Sequence, residues 1–184
     1  MAAPDNRAEP SEFAAGLARR SPSQASASPW GPPPPFIPPS AEAVAALMEV
    51  YGTVDASLGP VAAACRACGR CCRFRPGGIV LFASALEMAA LVADAGPPDA
   101  DRLLPGGPVA GNWTCPYQEG DRCAARKVRP LGCRTYFCDA NAEERGRAVH
   151  AEALHRIRAV AREYAYPWWY GPAKVYFDAI TAVT

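Results

Sequence analysis

The chain is poor in histidine, with two in 184 residues, and has no surplus of either charge: 19 Lys and Arg against 18 Asp and Glu leave a formal net charge of +1. Near-neutrality removes any global electrostatic argument for nucleic acid or an anionic membrane as partner. No stretch reaches the roughly 18 consecutive apolar residues of a membrane span. Arg19-Arg20 is followed by Ser-Pro-Ser-Gln-Ala-Ser-Ala-Ser-Pro-Trp, so the apolar run of an export signal is missing as well. A reducing, cytoplasmic setting is the expectation. Also missing are a Gly-rich phosphate loop, a nucleophile elbow and an H-E-x-x-H motif. The Cys-x3-Cys-x2-Cys spacing of radical adenosylmethionine enzymes and the paired cysteines plus paired histidines of a nucleic-acid finger are absent too. Catalytic residues cannot be named on this basis, and whether the protein is an enzyme stays open.

What the chain has is 8 cysteines in two segments, Cys65-x2-Cys68-x2-Cys71-Cys72 and then Cys115, Cys123, Cys133 and Cys138. Thiolate sulfur suits zinc or an iron–sulfur cluster better than any other side chain, and Cys-x2-Cys lets two thiolates reach one ion from a tight turn. The rival reading, a disulfide framework, needs an oxidising compartment. A bridge between the neighbours Cys71 and Cys72 would also close a strained ring. Adjacent side chains diverge in most conformations, so these two are expected to serve different ions, a bridge or chemistry. The later cysteines lack a close pair and must be gathered by folding, which predicts at least one site mixing both segments.

Four thiolates on Zn(II) or on an oxidised four-iron cluster leave a charge of about −2 that needs an offset. Arg66, Arg70, Arg73, Arg75, Arg122, Arg126, Lys127, Arg129 and Arg134 all lie in the cysteine region, and nearby cations stabilise thiolate. An ordinary solvated basic face is the plainer explanation of the same residues. His150 and His155 fall about 140° apart on a helix, too far to share an ion; His155 reads as solvated and His150 flanks the apolar stripe.

Half of the 20 prolines fall in residues 1–39. Proline lacks an amide donor and holds an extended backbone, so 1–39 reads as a disordered Pro/Ser/Ala-rich tail and 40–184 as one cysteine-rich domain, long enough to bury a core without staples. The tail could dock a protein partner, although no repeated P-x-x-P grammar develops. Ser40 is a candidate N-cap, with Glu42 in the first turn and Val44, Leu47, Met48, Tyr51, Val54 and Leu58 as the stripe. A short strand is predicted over Ile79–Phe82. A capping box, Ser84 to Glu87, opens a helix to about Asp94 that stops at Gly96, and residues 96–112 form a connecting loop. The later cysteine block reads as loop. A long helix is predicted from about Ala142 to Tyr164, with Val149, Ala153, Ile157, Val160 and Tyr164 inward. The aromatic run Tyr166 to Tyr170 reads as core cladding or as a pocket lining, and Val175–Val183 as helix or strand. The fold class expected is α+β, mostly α: an irregular metal-stapled domain with cysteine-rich loops on about three helices.

The segments Cys65-Arg-Ala-Cys68-Gly69-Arg-Cys71-Cys72-Arg73, Cys115-Pro116-Tyr117, Cys123 and Val128-Arg129-Pro130-x2-Cys133-Arg134 resemble the bacterial family of zinc- or iron-chelating domains built on Cys-x2-Cys-x2-Cys-Cys. Flagellin lysine N-methylase is similar to that group. The resemblance covers residues 65–138 and implies chelation of zinc or an iron–sulfur cluster by Cys65, Cys68, Cys71, Cys72, Cys115, Cys123 and Cys133, with Cys138 following. It also implies Arg129 and Arg134 as residues that orient thiolates or an anionic cofactor, or that cap helix ends. After Cys123 the chain departs from the family's apolar-aromatic pair, reading Ala124-Ala125-Arg126. The expected function is metal binding through clustered thiolates. The alternatives are an iron–sulfur enzyme acting on a protein side chain in the manner of the methylase, and a zinc-stabilised interaction module.

Overall fold

The computed structural model describes residues 30–62, 68–74, 78–98, 103, 113–137 and 140–181. The chain divides into two compact units, Met1–Pro32 and Pro33–Thr184. Only the last three residues of the first unit are described, and all the elements below belong to the second.

The second unit is mixed α and β and mostly helical. In chain order it runs α1 (Ala41–Ala62), a 3-10 turn (Arg70–Cys72), β1 (Arg73–Phe74), β2 (Phe82–Ser84), α2 (Ala85–Ala95), β3 (Trp113–Thr114), β4 (Gln118–Glu119), β5 (Arg122–Cys123), α3 (Leu131–Thr135), α4 (Ala140–Glu163), β6 (Tyr170–Pro172) and α5 (Ala173–Thr181). Among the described residues five α-helices stand where about three were expected, because Leu131–Thr135 and Ala173–Thr181 also coil. Both are too short for periodicity to declare them in a sequence. The strands make three two-stranded antiparallel ribbons, β1 with β3, β2 with β6 and β4 with β5. No helix among the described residues is long and apolar enough to cross a membrane.

Ser40 caps α1 as its chemistry predicts: its Oγ accepts from the Ala43 amide at 3.2 Å. The buried face of α1 is Ala43, Leu47, Val50, Tyr51, Val54 and Leu58. Val44 and Met48 lie at its margin, so the stripe is rotated slightly from the predicted one. That face packs on α4, and α3 fills the angle between the two helices. In α4 the inward residues are Ala142, Ala153, Ile157, Val160 and Ala161, whereas Tyr164, expected inside, is exposed at the last turn. Burying a side chain such as Leu47 or Ile157 completely contributes about 1.5–3 kcal/mol.

The box at Ser84 is complete. Ser84 Oγ accepts from the Glu87 amide, and the Glu87 carboxyl accepts from the Ser84 amide. Gly96 ends α2 at φ 83°, its amide donating to Val92. The predicted strand at 79–82 is displaced: pairing begins at Phe82, opposite Pro172, and Ile79 stays exposed. A strand forms where a partner edge exists, and β6 spans only the last of the apolar run.

The aromatic run after α4 divides. Tyr166 and Trp169 are buried and Trp168 is exposed, with the Tyr166 hydroxyl donating to the Ile37 carbonyl at 2.7 Å. That contact ties the end of the proline-rich segment to the body.

Candidate metal centre

The two cysteine segments meet side by side. The Cys115 amide donates to the Cys72 carbonyl across 2.8 Å, and the register continues as Arg73 opposite Thr114 and Phe74 opposite Trp113. Aromatic stacking anchors this ribbon. Phe74 and Trp113 lie with centroids 4.0 Å apart and planes at 16°, and Trp113 and Tyr117 both reach Phe177 of α5. Such pairs contribute about 0.5–1.5 kcal/mol beyond their area.

Cys71 and Cys72 occupy the 3-10 turn, which opens at Gly69 with φ 67°. A β-carbon on Gly69 would sit 2.5 Å from Gln118 Nε2 and 3.1 Å from the Asp121 backbone. Glycine is therefore required twice, for its left-handed backbone and for the close approach of the β4–β5 hairpin that carries Cys123. Arg73 secures the same approach by pairing with Asp121 at 3.0 Å. Sequence reading passed over Gly69, although its place between Cys68 and Cys71 was the available signal.

The expected divergence of Cys71 and Cys72 is not what the turn produces. Their sulfurs lie 4.0 Å apart, because the tight 3-10 backbone turns both side chains to one side. Two sulfurs on one tetrahedral zinc ion stand about 3.8 Å apart for Zn–S bonds of about 2.3 Å, so this pair is close to the spacing a shared ion requires.

Cys133 comes from α3, whose first turn is held from outside. The Leu131 amide donates to Glu87 Oε1 at 2.7 Å, and the Tyr51 hydroxyl donates to the same oxygen at 3.1 Å. Glu87 is completely buried, and sequence reading recognised it only as half of a capping box. Arg134, next to Cys133, is spent on the protein: its Nε donates to the Arg129 carbonyl, its Nη atoms to Asp55 and to the Lys127 carbonyl, and its Cζ lies 4.1 Å from the centre of the Tyr51 ring. These bonds shape the loop before Cys133.

Five of the cysteines, Cys71, Cys72, Cys115, Cys123 and Cys133, lie near enough to perturb one another. The hydrogen bond with Cys72 brings the Cys71 pKa down to about 6, with Arg129 and Arg126 acting the same way, while Cys72 is pushed up in return. Burial raises Cys133, and its neighbours Cys115, Cys123 and Cys71 raise it further, with Arg129 opposing. Burial likewise raises Cys123. A soft divalent cation inverts this order, because coordinated thiols deprotonate outright. Cys68 is exposed, the other described cysteines are half-buried, and Cys68, Cys71, Cys72, Cys123 and Cys133 are outside any disulfide.

Cys65 and Cys138 lie outside the described residues, as do Arg66 and Arg75. Among the described residues no group of three or more His, Cys, Asp or Glu side chains is arranged to hold a metal ion. The donor set, thiols drawn from both segments, is of the soft kind that zinc or iron–sulfur takes; Arg129, whose charge acts on Cys71, Cys123 and Cys133, has a buried Nε with no hydrogen-bond partner among the described residues.

The two histidines differ in setting. His155 is exposed. His150 uses both ring nitrogens, Nδ1 with Thr135 Oγ1 at 2.9 Å and Nε2 with the Tyr170 hydroxyl at 3.1 Å. In the segment after Cys123, Ala125 and Val128 are buried. No family model, curated protein or solved structure matches the chain.

Proposed function

We propose that this protein binds a thiophilic metal centre, zinc or an iron–sulfur cluster, through cysteine thiolates drawn from both segments. The supporting observation is the Cys115 amide on the Cys72 carbonyl at 2.8 Å, which brings together two runs of sulfur that lie far apart in the chain. The 4.0 Å separation of the Cys71 and Cys72 sulfurs adds to it. Cys65, Cys68, Cys71, Cys72, Cys115, Cys123 and Cys133 are the proposed ligands, with Cys138 as the remaining donor. When bound, the metal would hold the 3-10 turn, the β4–β5 hairpin and α3 together, as structural thiolate sites do. The aromatic run beside α4 gives the enzyme alternative no support, because Tyr166 and Trp169 are committed to the core.

Elemental analysis and an absorption spectrum of anaerobically purified protein test the reading. Broad absorbance near ~400 nm with about four irons per chain selects the cluster, and colourless protein with about one or two zincs selects zinc. Native protein without metal and with mapped cystine cross-links would overturn both.

A further inference from the structure

Arg129 and Arg134 sit at two ends of one short motif, yet their guanidinium groups meet opposite fates. Every nitrogen of Arg134 has an acceptor inside the fold, in Asp55 and in the carbonyls of Lys127 and Arg129. Arg129 is held through its backbone, by that same carbonyl. Its Nε is buried with no hydrogen-bond partner among the described residues, and its charge acts on Cys71, Cys123 and Cys133. Leaving a buried donor unsatisfied costs about 1–3 kcal/mol, more for a charged group. Arg126 and Arg134 are its cationic neighbours, and Asp55, the nearby anion, already pairs with Arg134 at 2.6 Å. Besides Asp55, the group whose charge favours the Arg129 cation is the Cys133 thiol.

Building on the metal-binding reading, we infer that Arg129 is the positioning residue of the cysteine centre: its Nε–H donates to a metal-bound thiolate among Cys71, Cys123 and Cys133, and its charge offsets the excess negative charge there. The ionisable groups on which Arg129 acts are the thiols of Cys71, Cys123 and Cys133, and an all-thiolate centre carries the negative charge that this cation would offset. The metal contacts Arg129 only through sulfur, so the residue tunes the ligands and takes no part in bonding the ion.

Cobalt(II), bound by the full chain after its own metal is removed under anaerobic reducing conditions, is the probe. Wild-type protein should show an intense thiolate-to-cobalt charge-transfer band. A hydrogen bond to sulfur lowers the energy of its lone pairs, so Arg129→Gln should move that band to lower energy and weaken cobalt binding about 10–100-fold, the usual cost of losing a residue that orients a ligand. Arg129→Lys keeps the charge and should recover most of the affinity while its band stays displaced, which a merely structural role would not produce. Wild-type band position and affinity in both variants would overturn the role of Arg129 and leave the metal reading standing. No charge-transfer band in the wild-type protein would overturn the metal reading, and the inference with it.

Discussion

The carboxyl of Glu87, in the first turn of α2, accepts a hydrogen bond from the Leu131 amide at the start of α3, 2.7 Å away and 44 positions along the chain. It thereby steadies the short helix that presents Cys133. The same side chain satisfies the Tyr51 hydroxyl and the Ser84 amide and hydroxyl. Glu87→Ala strands several buried donors at once and should cost about 3 kcal/mol or more. Urea unfolding of the variant measures it, and a loss under about 1 kcal/mol would show that water replaces the carboxyl readily.

Gly69→Ala should destabilise the cysteine turn selectively. The left-handed backbone costs an alanine about 1–2 kcal/mol, and its methyl would press on Gln118 and Asp121. The expected result is a lowered metal content together with a lower melting temperature. Unchanged values for both would mean that the hairpin moves aside without loss.

Ligand substitutions separate sulfur from histidine. Cys68→Ser and Cys72→Ser should reduce the metal bound per chain, whereas His155→Ala, at an exposed site, should not. Full metal content in Cys72→Ser would remove the vicinal pair from the ligand set.

Acidification should weaken the fold through His150. Burial holds its pKa below the ordinary 6.5, with Glu87 opposing, so the unfolded chain takes the proton more readily than the folded one. The stability this represents is present above about pH 6.5 and is lost as pH falls through the folded value. Urea midpoints at about pH 7.5 and about pH 5.5 should diverge for the wild type and converge in His150→Gln. An equal acid loss in that variant would assign the effect to other groups.

Arg134→Lys should be costly although it keeps the charge. A single ammonium cannot reach Asp55 and two carbonyls together while also sitting over the Tyr51 ring as the guanidinium does. A loss of about 2 kcal/mol in thermal or urea unfolding is expected, and a stability equal to wild type would show that the planar fork is dispensable.

The sequence by itself determined whatever depends on neighbours along the chain. The Ser40 cap, the Ser84 and Glu87 box, the Gly96 stop and the apolar faces of α1 and α4 were legible because capping and helical periodicity act over three or four residues. Only the tertiary structure decided the rest. The strand beginning at Phe82 waits for β6, Tyr164 is exposed because α4 ends beside it, and Cys71 and Cys72 turn their sulfurs together because Gly69 is pressed against a hairpin from the other segment. Arg129 and Arg134 look alike in sequence, and their roles part only when Asp55, from α1, arrives to occupy one of them. Contacts between distant residues are set by how the helices pack, and no local pattern encodes them.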